Sequence, residues 1–312
     1  MAVLYKSATL EKGQVFIDVP YREGSTDRKH RLDLFLPQGT QWPMLIFVHG
    51  GGLASGDKSF RVAGEDVYGN VGRFYASQGI GVAVINYRLQ PKVTWREQVD
   101  DVAHATAWVA ANLGLYGADT SRIFIGGHSA GAHLAARIAL DPKRLAQVGL
   151  SPANLSGVIA ISGAGYDLAD NETYELGRNR SRYETCFRCE DLTDNWMRDA
   201  SPISFATPSA PPFLILYAER ETMSLIRQSE LLHAALQRNQ VPSELLMVPR
   251  QNHSRIVLTL SRPDKTSAPA ILRFIQGSAS QVVDVQDLAR LLNHPDDAAF
   301  EGQQNRARLG GG

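Results

Sequence analysis

Gly127-His128-Ser129-Ala130-Gly131 has the form Gly-x-Ser-x-Gly, between the apolar run Arg122–Ile125 and the alanine-rich stretch Ala130–Leu140. A serine on a sharp turn from a strand into a helix presents its hydroxyl at the strand end, where a base can activate it. The turn crowds the positions two before and two after the serine, which is why both are glycine, and it holds the serine in a strained backbone conformation. On its own the pattern is weak; the strand before it and the helix after it give it weight. The helix starting at Ala130 directs its unpaired N–H groups and positive dipole end to the same place. His49-Gly50-Gly51-Gly52 is a second glycine motif, directly after the apolar run Met44–Val48. Successive glycines let backbone N–H groups approach a ligand with no Cβ in the way. Acyl transfer needs such donors where negative charge develops on a carbonyl oxygen. Ser129 is therefore the expected nucleophile, and the N–H groups of Gly51, Gly52 and Ala130 the expected oxyanion donors. The bland alternatives are a glycine-rich turn with a capping serine and a flexible loop.

The elements that must hold these motifs can be read from the apolar pattern. Val15–Val19 and His30–Leu36 read as strands, the second with a period of two that predicts one wet face near a sheet edge. Met44–Val48, Gly81–Ile85, Arg122–Ile125, Val158–Ile161, Phe213–Leu216 and Leu245–Val248 are short apolar runs, as suits strands covered on both faces. Helical stripes lie between them: Val99, Val102, Ala103, Thr106, Ala107 and Ala110; Ala130–Leu140; Leu231, Leu232, Ala235 and Leu236; and Ala268–Ile275. Alternating strands and helices predict a mostly parallel sheet of about eight strands with helices on both faces, its first two strands antiparallel. That is one α/β domain over residues 1–276, followed by a tail over 277–312 with a short helix at Val285–Leu292. The stretch 165–209 is far longer than an ordinary strand-to-strand connection and carries Tyr166, Tyr174, Tyr183, Phe187 and Trp196, so it is expected to cap a site at a strand end.

These motifs resemble those of α/β-hydrolases of the esterase/lipase type. His49–Gly52 is similar to their HGGG motif and Gly127–Gly131 to their nucleophile elbow, while Asn86-Tyr87-Arg88-Leu89 resembles a recurrent (D/N)YRL stretch. The run from His49 to Lys58, HGGGLASGDK, is similar to the opening motif of the branch holding acetyl/feruloyl-type esterases and arylformamidases. The resemblance spans about residues 14–276. It implies an α/β-hydrolase fold with an eight-stranded core, a site at the strand C-terminal ends, and the chain order nucleophile, acid, histidine. The base then falls after the last strand, on His253 in Arg250-Gln251-Asn252-His253-Ser254. Of the other histidines, His49 and His128 belong to the motifs, and His133 lies within the helix after the elbow. The acid follows the strand Phe213–Tyr217, in Ala218-Glu219-Arg220-Glu221-Thr222. Most relatives place Asp where Glu221 stands. Glu221 is the expected acid and Glu219 the competitor, since the role needs a buried carboxylate that accepts the imidazole N–H.

Composition excludes several other classes. The 312 residues carry 32 Lys and Arg against 32 Asp and Glu, so there is no basic footprint for nucleic acid or an anionic membrane. No apolar run approaches the ~20 residues of a membrane helix, and no signal-like segment opens the sequence, so a cytoplasmic protein is expected. Two cysteines rule out a disulfide scaffold; Cys186-Phe187-Arg188-Cys189 is half a zinc site without further ligands nearby and reads first as two free thiols. Phosphate-binding glycine spacing is absent after His49–Gly52, so no nucleotide cofactor is expected, and no metal is required. The expected activity is hydrolysis of small acyl esters through an acyl-enzyme, with a small-molecule ester as the partner and room for a homo-oligomer. The alternatives are an arylformamidase-like amidase, a lactonase or an acyltransferase on the same residues, or a non-catalytic receptor or scaffold. Leu53, Phe60, Trp95 and the cap aromatics are the expected pocket lining.

Overall fold

In the computed structural model every apolar run named above becomes a strand, and the described residues are 9–62, 64–188, 195–263 and 265–277. In chain order the strands are β1 (Gln14–Pro20), β2 (Arg31–Leu36), β3 (Trp42–Val48), β4 (Arg61–Val62), β5 (Glu65–Asp66), β6 (Gly81–Ile85), β7 (Ala118–His128), β8 (Gly157–Ile161), β9 (Phe213–Ala218) and β10 (Ser243–Val248). Eight of them form one sheet in the order β1-β2-β6-β3-β7-β8-β9-β10, and β4 with β5 makes a separate short ribbon. From β6 onward all neighbours are parallel, while β1–β2 and β2–β6 are antiparallel. The central strand β3 is buried at every position, as its unbroken apolar sequence requires.

The helices are α1 (Val67–Ser77), α2 (Trp95–Asn112), α3 (Ala130–Leu140), α4 (Pro142–Ala146), α5 (Asn171–Glu175), α6 (Asn179–Phe187), α7 (Trp196–Ala200), α8 (Met223–Arg238) and α9 (Ser267–Gly277). Two apolar clusters sandwich the sheet: α2 and α3 cover one face through residues such as Val99, Val102, Leu134 and Ile138, and α1 and α9 cover the other through Val71, Tyr75, Ile271 and Ile275. Thr94 opens α2 with a capping box, its hydroxyl accepting from the Glu97 N–H while Glu97 accepts from the Thr94 N–H. Helix α3 is buried at all eleven positions, which its small alanines permit.

Two local readings change. Strand β2 has no wet face, since Asp33 is 4% exposed. Lys58 Nζ stands 2.7 Å from its carboxylate and the Asp18 N–H donates to it at 2.8 Å, so the polar residue in the alternation is an internal ion-pair partner. Helix α1 carries no helical stripe in the sequence reading, because Gly69 and Gly72 depress its propensity. Gly72 has a packing reason: a Cβ there would lie 2.2 Å from the Phe35 ring, so only glycine lets α1 settle on β2.

By internal contacts the chain divides into two units, Met1–Ile275 and Gln276–Gly312. Beyond Gly277 the second unit, with the helix expected at Val285–Leu292, lies outside the described residues. Among the described residues no helix is long and apolar enough to cross a membrane.

Candidate active site

Four loops meet at the C-terminal ends of β3, β7, β9 and β10, where an open parallel sheet presents its crevice. The β7–α3 turn carries Ser129 at φ 56°, ψ −119°, a conformation that strains any residue with a Cβ. Its flanking glycines are sterically required. A Cβ on Gly131 would lie 2.1 Å from the Val48 carbonyl oxygen, and one on Gly127 would lie 2.6 Å from the same atom. The Ser129 N–H donates to the Ile161 carbonyl at 2.9 Å, which ties the turn to the end of β8.

His253, five residues past β10, brings its Nε2 to 3.0 Å from Ser129 Oγ. Its Nδ1 stands 3.2 Å from Glu221 Oε1, and the Glu221 side chain is fully buried. Neither Glu221 oxygen nor Nδ1 has a well-aligned hydrogen bond, so this contact is close but off-angle. Such bonds are often loose without substrate and tighten in the reacting complex. Glu219 lies elsewhere: its Oε2 accepts from the exposed Arg250 N–H at 2.5 Å. Of the two carboxylates offered by the sequence, the structure brings Glu221 to the imidazole.

The loop after β3 presents Gly51 and Gly52, both with positive φ (122° and 62°). A Cβ on Gly51 would collide with the Ser55 carbonyl at 2.0 Å, so the tight return of the loop demands glycine there. Their N–H groups and that of Ala130, at the start of α3, have no acceptor among the described residues. The motif Asn86–Leu89 holds this loop from behind. The Tyr87 hydroxyl donates to the His49 carbonyl at 3.1 Å, and its ring stacks on the His49 ring at 4.3 Å. Asn86 accepts from the Lys58 N–H and donates to Asp57, while Gln98 donates to the Leu53 and Arg88 carbonyls. Partial burial alone would raise the Asp57 carboxyl, but Lys29, Ser59 and Asn86 donate to it and hold it well below the usual carboxylate range. Tyr68 went unnoticed in the sequence because α1 carried no helical signal. Its hydroxyl accepts from the Gly50 N–H at 3.3 Å, and burial pushes its pKa up, so it stays protonated.

A cavity of about 740 Å³ opens over Ser129. Gly50–Leu53, Phe60 and Tyr68 line one side, and Tyr183, Cys186 and Phe187 of α6 line the other. The segment between β8 and β9 thus forms a wall of the site. Trp95 corrects the expected lining, because it is 1% exposed and stands behind that wall, donating its indole N–H to the Phe187 carbonyl at 3.0 Å. Gln90 similarly donates to the Cys186 carbonyl at 2.7 Å. Burial raises the Cys186 thiol pKa; Cys189 lies outside the described residues. Among the described residues no cluster of three or more His, Cys, Asp or Glu side chains could hold a metal ion.

Comparison with known proteins finds similar chains that are named as esterases. "Esterase LipQ" of Mycobacterium tuberculosis is 35% identical over 238 residues, covering 70% of this chain and 52% of its own length. A "probable isoprenylcysteine alpha-carbonyl methylesterase ICMEL1" of Oryza sativa is 29% identical over 74% of this chain and 55% of its own. The chain spans about half the length of the curated relatives it matches. Among solved structures, a truncated carbohydrate esterase from gut microbiota superposes with a TM-score of 0.73 at 19% identity, covering 88% of this chain and all of that one. Esterase B from Lactobacillus rhamnosis superposes with a TM-score of 0.71 at 22% identity, covering 92% and 91%. At such identities the likeness is one of fold, and the fold is the α/β-hydrolase fold. The BD-FAE family model matches residues 32–236, from β2 through α8, and the chain belongs to the BD-FAE family.

Proposed function

We propose that this chain is a serine hydrolase of carboxylic esters, with Ser129 as nucleophile, His253 as general base and Glu221 as the acid that orients it. One observation carries the reading: Ser129 Oγ at 3.0 Å from His253 Nε2, with His253 Nδ1 at 3.2 Å from a fully buried carboxylate. Ser129 Oγ attacks the ester carbonyl while its proton passes to Nε2, and the carbonyl electron pair moves onto oxygen. The N–H groups of Gly51, Gly52 and Ala130 receive that oxyanion. Collapse of the tetrahedral intermediate breaks the ester C–O bond, and the leaving alcohol takes the proton from Nε2. Water then repeats the sequence on the acyl-enzyme and releases the acid.

The substrate is a small acyl ester: a cavity of about 740 Å³ has the size of a small-molecule site. The names of the relatives, an esterase and methylesterases among them, favour ester bonds. We place the protein in the cytoplasm on its sparse cysteine usage, two in 312 residues. The test is a panel of aryl esters from acetate to palmitate, with an aryl formamide, on wild type and Ser129→Ala. Turnover of the short esters should fall by about 10⁴-fold or more in the variant. Full turnover by Ser129→Ala would refute the assignment of the nucleophile. Preference for the formamide would make the chain an amidase.

A further inference from the structure

The second residue of the elbow, His128, has no part in the scheme above, yet from the end of β7 it touches the loops after β3 and β10. It is 7% exposed and borders the same cavity. Its Nε2 stands 2.9 Å from the backbone carbonyl of His253, which can only accept, so Nε2 carries the proton. The two rings lie 4.7 Å apart between centroids. On the other side His128 packs on the loop after β3: a Cβ on Gly50 would lie 3.1 Å from His128 Nδ1 and 3.0 Å from the His128 carbonyl oxygen. The loop is tied on either side of His253 rather than at His253 itself. The Arg250 N–H donates to Glu219, the Arg220 N–H to the Gln251 carbonyl, and the Arg255 and Ile256 N–H groups to the side chain and carbonyl of Asn252, yet no side chain other than His128 among the described residues donates to the His253 backbone.

We propose that His128 is a positioning residue, whose Nε2–H holds the His253 carbonyl and thereby sets the imidazole against Ser129. The inference rests on the reading of Ser129 and His253 as nucleophile and base. A β10–α9 loop that drifts carries the base with it, and a shift of about 1 Å in a reacting group costs about a hundredfold in rate. Burial, with the charge of His253, pushes the His128 pKa down to about 3, so the donor stays neutral and does not repel the imidazolium that forms next to it.

The experiment compares His128→Leu, which removes the donor, with His128→Gln, whose amide nitrogen occupies nearly the place of Nε2. kcat and KM are measured on an aryl acetate, with thermal midpoints and the rate of Ser129 labelling by a fluorophosphonate. His128→Leu should lower kcat and labelling by about 10- to 100-fold, with KM within about threefold. His128→Gln should recover at least tenfold of that loss, although both variants lose the imidazole. If the Leu variant does not fold, His128→Asn, too short to reach the carbonyl, replaces it against Gln. Equal activity in the two variants, or a loss that tracks the thermal midpoint alone, overturns the proposal. A dead Ser129→Ala beside an undiminished His128→Leu would overturn this inference and leave the proposed function standing. An active Ser129→Ala would instead overturn the function itself.

Discussion

Replacing Glu221 by Gln tests the weakest link between sequence and geometry, the presence of Glu where the family resemblance leads one to expect Asp. The carboxylate lies 3.2 Å from His253 Nδ1 and is fully buried, whereas the imidazole is 35% exposed. With an effective dielectric constant of about 20, a full charge pair at that distance is worth about 5 kcal/mol to the imidazolium formed as Ser129 loses its proton. Solvent at the one-third exposed ring trims this to about 4 kcal/mol, equivalent to a factor of about 10³ in rate. The amide of Gln can turn its oxygen to Nδ1 but carries no charge, so Glu221→Gln should lower kcat by about 10³-fold with KM little changed. Glu221→Asp keeps the charge and withdraws it by about a bond length. By the same Coulomb reckoning it should lose only about tenfold. Glu219→Gln removes an exposed charge while keeping an oxygen that can accept from the Arg250 N–H, and should stay within about threefold. Initial rates on an aryl acetate decide the matter. A Glu221→Gln enzyme within tenfold of wild type, or a larger loss in Glu219→Gln, would refute the reasoning.

Other expectations concern stability. Ser129→Gly should abolish ester turnover and yet raise the thermal midpoint by a few degrees, because glycine relieves about 1 kcal/mol or more of strain at φ 56°; a lowered midpoint would count against stored strain. Gly131→Ala drives a Cβ to 2.1 Å from a backbone oxygen of β3 and should cost about 3 kcal/mol in urea unfolding, with loss of turnover. Burial holds His49 at about 4, and His128 and His133 at about 3, all below the ordinary 6.5. Each must stay neutral in the fold, so the stability this contributes is complete above about pH 6.5 and lost as pH falls toward 4 and 3, at up to about 1.4 kcal/mol per pH unit for each ring. Urea midpoints between pH 7 and pH 4.5 should decline steeply, and His133→Gln should flatten that slope; an unchanged slope would refute the assignment for His133.

The central sheet was legible because its strands are short, wholly apolar runs at regular spacing, and because the two glycine motifs sit directly after two of them. The chain order implied by the resemblance to α/β-hydrolases then pointed to the loops after β9 and β10 for the acid and the base. What escaped the sequence depends on contacts between distant segments. Helix α1 hides behind Gly69 and Gly72, whose reason is the Phe35 ring and the Asp66 side chain. Asp33 looks like a solvent-facing residue until Lys58, from the far side of the β3 loop, is found against it. Trp95 is near the motifs along the chain but packs behind the Phe187 carbonyl. Tyr68 and the pinning contact of His128 involve backbone atoms of other loops, which no residue pattern announces.

The wall contributed by α6 is fastened through its main chain, by Gln90 and Trp95 to the carbonyls of Cys186 and Phe187. The buried Tyr183 and Phe187 rings add packing to these bonds, but the bonds themselves use backbone atoms of α6 that no side-chain exchange there removes. Arg182 lines the cavity without taking part in those bonds, whereas the Cys186 thiol donates to the Gly52 carbonyl at 3.7 Å. An exchange at Arg182 can therefore reshape the cavity wall while the main-chain bonds that hold α6 stay in place.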